Sequence, residues 1–345
     1  QAKFWAAGVR VRPLRGVARL QGCTRGMSEK AEKTEKKKTK IKTVASKEAA
    51  RFAEDGEAKL ERAPDESGND FDLRMSEEPD GMKAAEKIVS ILKEKGVCVI
   101  KANAPPELVQ AAFDESEALY EDGEFSPPLR VFDDRSKLEA EVWKEALQSE
   151  EKVCYVRKDE DPRKNALRLL MGNMADFGGG LAHLLMKEIG LQFDRYAHPM
   201  VCCYSGDKSY HLHIDNPHGC NPDRPIFVDN GARMTLAYFI NPDCAPADCA
   251  GGLDVCLTDP TKIPNGASEA RSVGRFRIAP TADTLVIFLS ERMAHQVIAT
   301  KSKEKLFCMS MWYLNGDAMN QAPRNLHNLR LKMQREAEGV DSDDD

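Results

Sequence analysis

From Met82 the apolar positions Ala85, Ile88, Val89 and Leu92 recur on one helical face, and Gly96 follows as a stop, so a first helix is predicted there. Val97-Cys-Val-Ile100 is continuously apolar and predicts a short strand. Pro105 and Pro106 then open a second helix through Leu108, Ala112, Phe113 and Leu119, which ends near Gly123. Residues 127–150 mix strand and helix signals. A third helical pattern runs from about Asn165 to Met174, is interrupted at Gly178-Gly-Gly180, and resumes from Leu181 to Ile189. From Met200 the pattern changes to strands and turns: Met200–Tyr204, Met234–Ile240, Leu253–Leu257, Phe276–Ile278, Thr284–Leu289 and Leu306–Tyr313. Helices first and strands afterwards predict an α+β fold, with the N-terminal helices buttressing a sheet.

The flanks read differently. Residues 1–26 contain Arg10, Arg12, Arg15, Arg19 and Arg25 and no acid, the composition of a transit segment for mitochondrion or plastid. Gln1 is not an initiator, and Met27 is a second candidate start. From Ser28 to about Glu78 the chain is Lys, Glu, Asp and Ser with few large apolar residues, and such a stretch is expected to be disordered because it cannot bury enough surface to offset its ordering entropy. The tail Asp341-Ser-Asp-Asp-Asp345 is expected to behave likewise. The expected organisation is therefore a charged arm over 1–80, one folded domain over 82–320 with its strand-rich core at about 196–315, and a charged tail over 321–345.

At 345 residues and 41% hydrophobic content the chain can bury one good core, and a net charge of -6 makes no case for nucleic acid or a membrane surface. No window approaches eighteen consecutive apolar residues. Cys98, Cys202, Cys203, Cys256 and Cys308 fall inside apolar strands, where a thiol serves as a small core side chain, and no cysteine pair has zinc-finger spacing. Cys244 and Cys249 flank a loop, where reduced thiols of an intracellular chain are the simplest account, in cytoplasm or nucleus if not an organelle.

The chemistry concentrates in Tyr204-Ser-Gly-Asp-Lys-Ser-Tyr210-His-Leu-His213-Ile-Asp215-Asn-Pro217. In an extended segment His213 and Asp215 project from one face and can meet at a common atom. His295 follows the apolar run Thr284–Leu289 and completes a set of two imidazoles and a carboxylate, which is the facial triad of non-haem Fe(II) oxygenases. A pair of metal-directed residues, a run of strands and a distant histidine after a strand fit a double-stranded β-helix, a jelly-roll barrel that brings far segments together at its mouth.

Read together, these motifs resemble the 2-oxoglutarate- and Fe(II)-dependent prolyl 4-hydroxylase superfamily, closest to the oxygen-sensing prolyl hydroxylases that act on hypoxia-inducible factor. The resemblance runs from about Met82 to Asp317. It rests on Lys95-Gly-Val-Cys-Val-Ile100, Ala118–Phe125, Cys203-Tyr204 through Pro217, Tyr238-Phe-Ile-Asn241, Gly251-Gly252, Phe288-Leu-Ser-Glu-Arg292, His295-Gln-Val297 and Trp312-Tyr313. It implies that His213, Asp215 and His295 hold iron, that Tyr204 and a residue of the Tyr238-Phe239 pair, taken as Tyr238, contact 2-oxoglutarate, and that Tyr210 and Trp312 line the substrate pocket. Dioxygen and 2-oxoglutarate would be consumed, a prolyl residue of a protein or peptide hydroxylated, succinate and CO2 released, and ascorbate used to keep the iron ferrous.

The resemblance also calls for a cation facing the far carboxylate of 2-oxoglutarate. Lys305, ten residues after His295, is assigned that role, with Lys301 and Lys303 as substitutes. Counting back from Trp312, the family's arginine falls on Leu306 instead, so only a bulge in the strand would turn Lys305 inward. Ser310 keeps the hydroxyl that the family carries two residues before the tryptophan. The loop from His218 to Ala232 is longer than in the family and is expected to act as an irregular lid at the mouth. Two other readings stay open: the same chemistry on another side chain or a small molecule, and a catalytically silent barrel that binds a partner.

Overall fold

A computed structural model of the chain describes residues 69–126, 152–156, 161–197, 199–205, 209–216, 229–242, 252–258, 272–299, 305–322 and 324. The expectations for the arm before Asn69, for 127–150, for most of the 218–232 loop, for Cys244 and Cys249 and for the acidic tail lie outside those residues.

The first predicted helix is α1, Gly81–Lys95. Asp80 caps it by accepting from the Met82 and Lys83 amides, and Gly96 closes it at φ 79°, a left-handed value that favours glycine. After β2 (Val97–Lys101) comes α2, Pro106–Glu121, opened by its proline pair. The third helix, α3 (Asn165–Ile189), runs unbroken through Gly178-Gly-Gly180, against the expected interruption. A Cβ at Gly178 would collide with the Tyr313 ring, so the glycine serves close approach of helix and sheet rather than a break. Its N-terminus is tied to α2, where the Glu115 carboxylate accepts from the amides of Ala166 and Leu167.

The strands form two sheets. In the larger, mixed sheet the order is β1 (Leu73–Arg74), β2, β10 (Thr284–Leu289), β7 (Ala232–Phe239), β12 (Lys305–Leu314), β5 (Met200–Ser205) and β3 (Lys152–Tyr155), with β4 (Arg195–Tyr196) also on β12. The smaller sheet has the order β6 (Tyr210–His213), β11 (Ala294–Val297), β8 (Leu253–Thr258), β9 (Ser272–Ile278). Strand alternation sorts the larger sheet's side chains into two cores. Phe307, Met309, Met311 and Tyr313 pack with helix residues such as Ile88, Ala112 and Leu170, whereas Cys202, Tyr204, Phe239, Val286 and Cys308 pack with Leu253, Val255 and Ile278 of the smaller sheet.

The expected disorder up to Glu78 is corrected at its end. Leu73 pairs with Ile100, and Asn69 is buried, donating to the Ala279 carbonyl and accepting from its amide. A short polar stretch can be ordered when its few apolar and amide groups dock onto a sheet edge already formed.

Candidate metal centre

The smaller sheet brings the two predicted segments together. His213 on β6 and His295 on β11 are direct cross-strand partners, with ring centroids 4.2 Å apart. Tyr210 faces Val297 across the same pair, so three steps on β6 match two on β11. This bulge lets Tyr210 and His213 share a face, and the two rings lie 4.4 Å apart. Asp215 sits just past the strand. Its Oδ1 is 3.3 Å from Nε2 of His213 and 3.7 Å from Nε2 of His295, and the three ligand atoms lie within 4.8 Å of one another. Two neutral imidazoles and one carboxylate suit a ferrous ion and leave positions on its other side.

The supporting shell fixes which atoms would face an ion held there. The Oδ2 atom of Asp215 accepts from the Thr235 hydroxyl at 2.6 Å and from the Trp312 indole N–H at 3.0 Å, so Oδ1 is left for the metal. Ser290 bonds Thr235 at 2.8 Å, and the Asn230 side chain donates to the Asp215 carbonyl. The neighbouring Asn216 is buried and bonds Asp229 and the Ala232 carbonyl. At His295 the Nδ1 atom lies 3.0 Å from the Met293 carbonyl, and donation to that oxygen turns the Nε2 lone pair toward Asp215. The Phe288 ring lies against the His295 imidazole and shields it from water.

Electrostatics agree with a ligand set. Burial, with His213 beside it, holds His295 down at about 4, so the ring is neutral at physiological pH. Burial by itself would raise the Asp215 carboxyl, but the two imidazoles and the Thr235 hydroxyl outweigh it and keep the group well below the usual carboxylate range.

The other predicted residues divide by face. Tyr204 is buried on the side shared with the smaller sheet. Ser310 shares that side, with the Cys202 and Cys308 thiols each 3.9 Å from its hydroxyl. Trp312, expected to touch substrate, holds the Asp215 carboxylate. Two expectations are corrected. Tyr238 belongs to the core under the helices, where its hydroxyl donates to Asp283 at 2.9 Å, and Phe239 faces the smaller sheet instead. Lys305 also points to the helix side: its ammonium pairs with Glu117 at 3.3 Å and with Glu121, and lies 5.4 Å from the Tyr120 ring centroid. The rescuing bulge is absent, since Lys305 to Ser310 pair residue by residue with Ser205 to Met200. Lys301 and Lys303 lie outside the described residues.

Thr235, Ser290 and Asn230 were missed from sequence. Thr235 carried a usable signal, a lone hydroxyl at alternating register within the apolar run Met234–Ile240, whereas Asn230 sits in a loop that no period describes.

No family model matches the chain. In sequence it is related to Egl nine homolog 1: 24% identity over 241 residues with the Rattus norvegicus protein, covering 69% of this chain and 61% of that one. With the Homo sapiens protein the identity is again 24%, over 48% of the relative. The chain thus spans about half to three-fifths of the length of these relatives. Among solved structures it superposes on the prolyl hydroxylase of Trichoplax adhaerens, solved with a hypoxia-inducible factor peptide fragment, at a TM-score of 0.53 and 21% identity, covering 70% of this chain and 93% of that one. A Pseudomonas putida prolyl-4-hydroxylase matches at a TM-score of 0.47 and 16% identity over 67% of this chain and 98% of that one. This chain has the fold of a prolyl hydroxylase, and Egl nine homolog 1 is among its relatives. Among the described residues no helix is long and apolar enough to cross a membrane.

Proposed function

We propose that this chain is an Fe(II)- and 2-oxoglutarate-dependent dioxygenase that hydroxylates a prolyl residue of a protein or peptide, releasing succinate and CO2. The observation that carries the reading is the convergence of His213 and Asp215, at the end of β6, with His295 on β11, in a fold shared with a prolyl hydroxylase. On this reading the two facing sheets are the halves of a double-stranded β-helix buttressed by α1, α2 and α3. The catalytic unit then runs from Asn69 to about residue 320.

The ion, when bound, would supply open coordination positions for the keto acid and dioxygen, with dioxygen as the oxidant: one of its oxygen atoms would go to succinate as the keto acid loses CO2, and the other to the substrate C–H bond. The chain's own residues set the conditions. Thr235 and Trp312 hold Asp215 to one face, and Met293 holds His295 in one tautomer. Phe288 excludes water beside His295, while Tyr210 next to His213 flanks the approach of the substrate. Tyr204 and Ser310, on the inner face of the larger sheet, would contact the keto acid.

Succinate release from 2-oxoglutarate with Fe(II), ascorbate and candidate peptides tests the chemistry, with His213→Ala as the control. Succinate no higher than in the control would reject the oxygenase. Oxidation of the peptides at non-prolyl positions, read by mass spectrometry, would reject the prolyl assignment alone.

A further inference from the structure

The inner face of the larger sheet, away from His213 and Asp215, ends in an apolar floor. Strand β12 sets it: Leu306 stands opposite Tyr204, and Cys308 opposite Cys202 and Phe239. Leu306, Tyr204, Phe239 and Cys308 are all buried. Among the described residues, no inward side chain of β5, β7 or β12 beyond Thr235 is a lysine or an arginine. Arg233, at the metal end of β7, is committed to Asp229 and Glu291. Lys305 is one residue from the floor, but the alternation of the strand sends its ammonium through the sheet to Glu117 and Glu121 on α2.

This bears on the co-substrate. A keto acid grips the metal through its keto and adjacent carboxylate oxygens, whichever tail it carries. A second carboxylate at the far end of 2-oxoglutarate would lose its hydration against Leu306 and Phe239 and, among the described residues of these three strands, would meet neutral hydroxyls such as those of Tyr204 and Ser310 in return. A carboxylate taken out of water without a counter-charge gains nothing from burial, whereas an alkyl tail does.

Resting on the oxygenase reading above, we propose that Leu306 and Phe239 make this site select its 2-oxo acid by the chelating end alone, so that an aliphatic 2-oxo monocarboxylate binds about as well as 2-oxoglutarate. Leu306 is then a specificity-determining residue, and Lys305 is a clamp between β12 and α2.

The test uses the full chain loaded with Mn(II) under argon, titrated by calorimetry with 2-oxoglutarate and with 2-oxopentanoate, which has the same carbon count and no far carboxylate. The two dissociation constants are expected to agree within tenfold, and Lys305→Met is expected to change neither. Leu306→Arg is expected to tighten 2-oxoglutarate tenfold or more without tightening 2-oxopentanoate. Phe239→Tyr, a milder change, is expected to shift the ratio the same way if the arginine variant does not fold. A tenfold or greater preference for 2-oxoglutarate in the unaltered protein overturns the proposal, as does a folded Leu306→Arg that gains nothing. If neither acid binds while Mn(II) still does, the oxygenase reading falls and takes this proposal with it.

Discussion

At the scale of single residues, the centre depends on the atoms behind its ligands. Thr235→Val keeps the shape of the side chain but removes the 2.6 Å bond to Asp215 and the link to Ser290, so the carboxylate is free to rotate. The expected result is a loss of about 10–100-fold in Mn(II) affinity, read by competition with a chelator, with the fold retained by circular dichroism. Trp312→Phe should act in the same direction, because the indole N–H is the other donor to that oxygen. If neither variant weakens the metal, the shell is structural only. Cys203 gives a contrasting residue-scale expectation. Burial pushes its thiol up to about 12, so at pH 8 only about one molecule in ten thousand carries the thiolate. The native protein should therefore leave Cys203 unalkylated by iodoacetamide, and peptide mapping before and after denaturation would show it.

At the scale of elements, the contact between α3 and β12 is the most exacting. Tyr313 is fully buried against Gly178, and its hydroxyl donates to the Met174 carbonyl at 3.2 Å. Gly178→Ala forces a methyl into that ring and is expected to cost about 1–3 kcal/mol through overpacking, lowering Tm by several degrees. Gly179→Ala meets open space and is expected to be neutral or stabilising by up to about 1 kcal/mol, since alanine is the better helix former. Equal effects of the two in thermal unfolding would contradict the assigned contact. The same element explains a sequence misreading: three glycines in a row read as a helix break when their neighbours are unknown. Gly178 is there because an aromatic ring from another layer needs the room.

At the scale of the whole molecule, the proposed metal ligands come from two strands and a bend of the smaller sheet, and their shell comes from β7, β12 and the end of β10. A bound ion should therefore stabilise the fold as a unit. At a free Mn(II) concentration a hundred times its dissociation constant, linkage predicts about 2.7 kcal/mol, visible as a rise in Tm that a chelator reverses. His213→Ala should abolish the rise. A shift of the same size in that variant would place the ion elsewhere.

Much of this was legible along the chain. The periods of 3.6 and 2 placed α1, α2, most of α3 and the central strands, because each element buries one face and must repeat its apolar residues accordingly. His213, Asp215 and His295 were legible because metal chemistry restricts the donor types so severely. What the sequence could not decide was the side of the sheet. Alternation divides β12 into the set of Lys305 and Phe307 and the set of Leu306 and Cys308, and β7 into those of Tyr238 and Phe239. It does not say which set lies under the helices and which faces the smaller sheet. Only the packing of layers decides that, and a single step of register carried Lys305 and Tyr238 to the helix side and left Leu306, opposite Tyr204, and Phe239 on the face toward the smaller sheet.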